Sequence, residues 1–506
     1  MRPAGARFNP ASALTPVTAL LPDWVSMASL AEVVAVAAPV AFVLGVLSAL
    51  DAVMHARTPQ GSAGWAVALV TAPFVALPLY WFFGRTHFRE YVRDMRALNA
   101  RLDATLDSDA RLALVPFLYR DDERDDRGER TAFGRLARLP FTRGNGARLL
   151  LDGEETFPAM LDALARAERS ILFQFYILRD DVLGQRFADV LVERARAGVD
   201  VCVLYDDIGS IGLSRAYRRR LRAGGVRVSG FPGRRSLFQR FRLNFRNHRK
   251  IVVVDGRVAF TGGLNIGDEY LHGTRKMGPW RDTHLRVTGP LVLALQLSFV
   301  KDWHFSTGTL PPGIAWTPVA DGAEDRVGIV VDSGPADEVE TGSLLYAHAI
   351  ASAERRVWIS TPYFVPDSAV FSALQIAALR GVDVRILMPR ASDNVLFKFV
   401  PYAYLPDIGR VGVTACLYER GFLHQKILLV DDDYAAVSSA NLDNRSFRLN
   451  FEVTTLFCDR DFCGDVERML ERDFDGATPL GPDDLSGRSV AFRIAVRVTR
   501  LLAPVL

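Results

Sequence analysis

HRKIVVVDGRVAFTGGLN (His248 to Asn265) recurs as HQKILLVDDDYAAVSSAN (His424 to Asn441), and both fit H-x-K-x4-D-x6-[GS]-[GS]-x-N without a gap. Each apolar core, IVVV or ILLV, is β-branched or leucine-rich and reads as a strand. Residues i and i+2 of a strand face the same side. His248 and Lys250 are therefore expected to project together, as are His424 and Lys426. Asp255-Gly256 makes a tight turn in the first copy, and the chain returns toward Asn265. Asp255 and Asp431 complete the catalytic motif of each copy. Lying past the strand, they are expected to brace the hairpin more than to touch substrate.

Working outward, the rest of the chain also reads twice. Ala167-Glu168-Arg169 comes before the apolar run ILFQFYIL, and Ala353-Glu354-Arg355 before VWISTPYFV. A helical segment follows each and ends in RAGVDVCVLYD (Arg196 to Asp206) or RGVDVRILMP (Arg380 to Pro389). Gly198 and Gly381 read as helix C-cap glycines that feed a buried strand. Strands alternating with helices at this spacing predict two α/β halves, each with a mixed or parallel sheet. The repeats are placed at 145–310 and 326–480. Pro311 to Asp325 links them.

Two uncharged stretches open the chain, Val33–Leu50 and Gly64–Phe83. Each is close to the roughly 17–25 residues that span a hydrocarbon core, so residues 1–90 read as a two-helix transmembrane hairpin with spans at about 33–50 and 64–83. The loop between them holds Arg57, whereas Arg85, Arg89, Arg93, Arg96 and Arg101 follow the second span. By the positive-inside rule the bulk of the chain lies in the cytoplasm. Residues 91–144 read as a linker region, whose charge-dense stretch RDDERDDRGER (Arg120 to Arg130) is expected to be solvated. Residues 481–506 read as an amphipathic tail: Arg493, Arg497 and Arg500 share one helical face, which suits a membrane interface or packing on the core.

Composition narrows the function classes. Net charge is +3, which does not announce a nucleic-acid binder, and 49% hydrophobic residues suit an enzyme with membrane segments attached. Five of the 61 basic residues are lysines, and two of those five are Lys250 and Lys426. The four cysteines are scattered without C-x-x-C or Cys/His spacing, so neither a disulfide framework nor a zinc site is expected. The run RRSLFQRFRLNFRNHRK (Arg234 to Lys250) mixes arginine with phenylalanine and suits anionic lipid headgroups at a membrane surface.

An imidazole, an ammonium and an amide converging twice suit a phosphodiester. Neutral imidazole can attack phosphorus and form a covalent phospho-histidine. A second histidine opposite can protonate the leaving alkoxide and later deprotonate the incoming alcohol or water. Lys250, Lys426, Asn265 and Asn441 are expected to hold the non-bridging oxygens. Asp282 and Glu452 open later strands at matching places (DTHLRV and EVTTLF), where a carboxylate could orient a histidine through its second nitrogen. No metal or cofactor is required. In-line displacement needs histidines on opposite sides of phosphorus, which two repeats facing each other about a pseudo-twofold axis would supply.

With these motifs the chain resembles the phospholipase D superfamily and, within it, the bacterial cardiolipin synthases. The resemblance covers nearly the whole chain: the hairpin ending YWFFGR, LLLDGEETFPAML, FYILRDDVLG, GGLNIGDEY, PWRDTHLRVTGP, STPYFVPD and SSANLDNRSFRLNFEV. The second copy departs slightly, with Ser438-Ser439 where Gly-Ser is usual and two further acids, Asp432 and Asp433. The resemblance implies two phospholipase-D-like α/β/α repeats packed face to face. It also implies transfer of a phosphatidyl group between two phosphatidylglycerols in the inner membrane of a bacterial cell, with His248 as nucleophile or, with the roles exchanged, His424. A phospholipase D hydrolase, or a transferase that uses phosphatidylethanolamine as donor, shares the same motifs. A nuclease is disfavoured by the apolar hairpin and the near-neutral charge.

Overall fold

The structure is a computed structural model that describes residues 27–55, 59–84, 91–95, 98, 112–119, 128–231, 245–320, 322–392, 395–481 and 483–501. It comprises two compact units, Met1–Thr86 and His87–Leu506. Arg57, Arg85, Arg89, Arg96 and Arg101, the charged run 120–127 and residues 234–244 of the arginine–phenylalanine run lie outside the described residues.

In the first unit, Met27–His55 forms one helix. Its stretch Ala35–His55 is, among the described residues, the one helix long and apolar enough to cross a membrane. The second apolar stretch is not a single helix. It runs as Pro59–Thr71, Pro73–Leu79 and a π-helical turn at Tyr80–Gly84. Proline crowds the residue before it out of the α region, and Ala72, which precedes Pro73, sits at φ −136°, ψ 58°. Small residues let the segments meet: a Cβ on Gly45 would fall 2.4 Å from the Leu69 carbonyl oxygen, and Ala41, Ala49 and Ala52 pack with Leu69, Ala76 and Tyr80.

In the second unit sixteen strands form one sheet, fifteen of them along a single path and the sixteenth, Arg246–Asn247, pairing with Asn450–Phe457 beside it. Its order reads the same way outward from a central seam. One half runs Thr142–Leu151, Thr283–Thr288, Val258–Gly262, Ile251–Val254, Ser170–Phe175, Asp200–Asp206, Arg227–Phe231. The other runs Arg326–Ser333, Asn450–Phe457, Tyr434–Ser438, Ile427–Val430, Arg356–Ser360, Asp383–Pro389, Thr414–Tyr418, with Ala477–Leu480 added at the edge. The seam is an antiparallel pairing of Thr142 with Gly328 and Asn145 with Arg326. In each half the inner strands are antiparallel and the next three parallel, and the added edge strand Ala477–Leu480 is antiparallel to its neighbour.

Alternation assigns each strand face to a core. Ile251, Val253 and Leu285 share one apolar cluster with Ile427, Leu429 and Val453 of the other half. Val252 and Val254 turn to the helices of their own half, as do Leu428 and Val430. Burial on both faces is why these strands read as unbroken apolar runs. The hairpin turn is as expected: Asp255 and Gly256 take φ 55° and 68°, the left-handed pair that a tight two-strand connection favours.

Other expectations change in the second unit. The motif histidines and lysines precede the strands rather than lie on them, since the strands start at Ile251 and Ile427. The linker region 91–144 also supplies residues to the core. Tyr91 is buried against Phe305 and Phe451, and Phe133, on the helix Glu129–Ala137, packs beside Tyr434 in the core of the second half. A few apolar side chains in a charged context carry no periodic signal.

Candidate active site

Each motif histidine is positioned by the opposite half of the molecule. The short strand Arg246–Asn247 pairs in parallel with Asn450–Phe451, and Phe422–Leu423 pairs with Trp280–Arg281. The His248 N–H then donates to the Phe451 carbonyl at 2.9 Å, and that of His424 to the Arg281 carbonyl at 2.7 Å. The next residue in each partner strand is a carboxylate, Glu452 or Asp282.

Those carboxylates meet the imidazoles crosswise. His248 Nδ1 lies 3.0 Å from both oxygens of Glu452, and His424 Nδ1 lies 2.8 Å from Asp282 Oδ2. Both acids are fully buried. Burial works to raise each of them, but Lys426 and His424 hold Asp282 below the usual carboxylate range, and His248 with Lys250 does the same for Glu452. An ionised carboxylate only accepts, so Nδ1 carries the hydrogen and the neutral ring keeps its lone pair on Nε2. Burial, with Lys250 adding to it and Glu452 opposing, lowers His248 to about 4. Burial and Lys426 lower His424 as well. Both rings are thereby kept neutral and nucleophilic.

The lysines lie beneath the histidines. Lys250 is fully buried, its Nζ donating to the His248 carbonyl at 2.6 Å, and Lys426 Nζ donates to the His424 carbonyl. Burial lowers Lys250 to about 7, against the pull of Glu452. The motif aspartates are elsewhere. Asp255 accepts from the N–H groups of Glu168, Arg169 and Ser170 at 2.8–2.9 Å, and Asp431 from those of Glu354, Arg355 and Arg356 at 2.7–2.8 Å. Their carboxylates tie each hairpin turn to the start of the neighbouring strand.

A cavity of about 700 Å³ opens over His248, His424, Asn265 and Asn441. Asn265 is engaged by its own half, donating to the Tyr270 hydroxyl at 2.7 Å and accepting from the Ile177 N–H at 3.1 Å. Asn441 Oδ1 is buried with no hydrogen-bond partner. Neither Asp255 nor Asp431 lines the cavity.

Other residues surround the two histidines. Tyr176 sets its ring 4.8 Å from that of His248, while Trp280 and Phe422 ring His424 at 5.7 and 5.6 Å. Arg246 and Arg445 join the wall that includes His248. The equivalent positions in the other half are Phe422 and Glu269, of which Glu269 lines the cavity and pairs with Arg179 at 2.6 Å. Beneath the site, Arg249 pairs with Asp302 at 2.9 Å, and Tyr91, Gln174 and Asn247 also donate to Asp302. In the other half Asp473 takes Arg281 at 2.9 Å and Gln425 at 2.8 Å. The signal available was an Asp followed by an aromatic residue in the last helix of each repeat, Asp302-Trp303 and Asp473-Phe474.

A mixed sheet repeated twice, with one H-x-K-x4-D motif per repeat and both histidines on a shared cavity, is the architecture of a two-repeat phospholipase-D-type protein. Residues 160–278 and 346–474 match the family model described as cardiolipin synthase, PLD-like domain, and residues 43–85 match that of the phospholipase D-nuclease N-terminal segment. The chain is 44% identical over 469 residues to cardiolipin synthase A of Pseudomonas putida (strain W619), covering 92% of this chain and 96% of that one. It is 46% identical over 465 residues to cardiolipin synthase A of Pseudomonas aeruginosa (strain LESB58), covering 92% and 94%. The chain belongs to the cardiolipin synthase family of the phospholipase D superfamily. In fold it is similar to phosphatidylserine synthase of Haemophilus influenzae Rd KW20, with a TM-score of 0.57 at 16% identity, covering 75% of this chain and all of that one.

Proposed function

We propose that this protein is a cardiolipin synthase that joins two phosphatidylglycerols into cardiolipin and releases glycerol. The observation that carries the reading is the crossed pairing: each histidine takes its carboxylate from the other half and keeps Nε2 for the shared cavity. His248 Nε2 attacks phosphorus of the first lipid as the bond from phosphorus to the glycerol oxygen breaks. The bound phosphate draws a proton onto His424 Nε2, and that proton passes to the departing glycerol. The hydroxyl of a second phosphatidylglycerol then gives its proton to His424. Its oxygen bonds to phosphorus as the P–N bond breaks, which frees His248. Lys250 and Lys426 beneath the rings, with Asn265 and Asn441 on the wall, supply positive charge and amide donors to the phosphoryl oxygens. A donor of that kind is worth roughly 10²–10³ in rate.

The substrate is a lipid, and the first unit fits a membrane anchor. Both apolar stretches cross the bilayer as a hairpin in this reading, and the arginines after the second support a catalytic unit on the cytoplasmic side of the inner membrane. The test is incubation of the purified, detergent-solubilised enzyme with phosphatidylglycerol alone, followed by mass analysis of the lipids. Cardiolipin with equimolar glycerol is expected. Phosphatidic acid in its place would make the enzyme a hydrolase, and product only after phosphatidylethanolamine is added would change the donor.

A further inference from the structure

The helix Val490–Leu501 has two working faces. One is docked on the protein. Its Phe492 ring lies 5.2 Å from both Phe399 and Tyr402, Val496 and Thr499 are buried, and Arg500 pairs with Asp407 at 2.8 Å while donating to the Ala403 carbonyl. The opposite face is apolar and open: Val490, Ile494, Val498 and Leu501 are 62, 59, 48 and 79% exposed. At 3.6 residues per turn these four fall within a sector of about 80°, roughly diametrically across from the docked face. Arg493 and Arg497, both exposed, run along one border of that stripe.

The helix also has a place relative to the cavity. It packs on Val400–Gly409, which follows directly on the short helix Val395–Lys398. Phe397 of that short helix stacks on Tyr363 at 4.0 Å, and both rings line the cavity. An apolar stripe on the outside is thus joined through two packed segments to the wall of the lipid-processing cavity.

We propose that the outer face of Val490–Leu501 is a bilayer-docking surface, whose apolar stripe enters the interface of an anionic membrane while Arg493 and Arg497 meet the headgroups. An amphipathic helix with arginines beside its apolar stripe binds anionic lipid surfaces by apolar burial plus charge attraction. The charge complement is on hand, because the phospholipid substrate of the proposed reaction is itself anionic. Docking here sets the Phe397 wall beside the membrane that holds the substrate. The surface requires only that the bilayer be anionic, so its binding test stands apart from the chemistry.

The experiment uses the full chain in vesicles of phosphatidylcholine and phosphatidylglycerol. In a Val498→Trp variant, lipids brominated along the acyl chains are expected to quench clearly more fluorescence than in the parent protein. Raised ionic strength, which screens exposed charges, is expected to reduce that excess. In an Ile494→Glu/Val498→Glu variant, the ratio of turnover on long-chain vesicle lipid to turnover on a short-chain, monomeric phosphatidylglycerol is expected to fall about tenfold. Turnover on the short-chain lipid shows that the variant is folded. No excess quenching together with an unchanged ratio overturns the proposal. So does a dimer in detergent that the two glutamates dissociate, since the stripe would then cover a second copy of this chain.

Discussion

His248 and His424 each use one ring nitrogen on a carboxylate that lies 204 or 142 residues away in the chain. The histidines, lysines and asparagines were legible because their chemistry is written in local spacing. The crossing was not legible, because it is made by two-residue parallel pairings between the halves. Matching strand openings flagged Asp282 and Glu452 without saying which imidazole each would reach. The pairing makes a prediction: Glu452→Gln and Asp282→Asn keep size and remove charge, freeing the ring to flip tautomer. Each is expected to lower kcat roughly 10²-fold, since general acid–base catalysis contributes about 10²–10⁴, and adding Glu452→Gln to His248→Ala is expected to cost nothing further. Full additivity in that double variant would show Glu452 acting elsewhere. The pH profile follows from the same residues. A histidine is neutral above its pKa and a lysine charged below its own, so with His248 at about 4 and Lys250 at about 7 the free enzyme holds both working forms between those values. kcat/KM, which reports free-enzyme groups, is expected to fall as pH rises past the lowered pKa of His424, which must take up a proton to act as acid, and to fall more steeply above about 7 as Lys250 loses its charge. A profile whose fall does not steepen by pH 8, about one unit higher, would mean that Lys250 is not needed charged.

At the scale of elements, each motif hairpin is tied down by its aspartate. Three backbone N–H groups converge on Asp431, and leaving a buried donor unpaired costs about 1–3 kcal/mol. Asp431→Ala is therefore expected to lose at least about 2 kcal/mol of stability in chemical denaturation. Activity is expected to fall in step with the folded fraction rather than through kcat. A stable variant with kcat collapsed would instead put Asp431 in the chemistry. The strands and this turn were readable because apolar runs and Asp-Gly chemistry are local. The second apolar stretch was read as one helix, yet Pro73 divides it at Ala72. Hydropathy measures length and not continuity, so the sequence window missed that break. Tyr91 and Phe133 went unread for the opposite reason, as single anchors without a pattern around them.

The whole molecule behaves as one site shared by two halves. Neither half alone holds a histidine with its carboxylate, and the strand faces of Ile251, Val253 and Leu285 share one apolar cluster with those of Ile427, Leu429 and Val453 and with the helices Leu291–Thr307 and Arg460–Phe474. A half produced alone would expose that face to water at about 25 cal/mol per Å² of apolar surface. The segment Pro311 to Asp325 crosses the seam without supplying any motif residue, so cutting it should break the chain and leave the site standing. A protease site inserted at Gly322, cleaved after folding, is expected to give two fragments that co-purify and retain most of the lipid-transfer activity. Each fragment expressed alone is expected to be inactive and prone to aggregate, with activity returning when both are made together. An active single half would mean that one motif suffices and that the crossed carboxylates are incidental. If cleavage inactivates the enzyme while the fragments stay together, the linker itself must hold the seam in register, and the two bridge pairs at Thr142 and Asn145 would be too weak to do so alone.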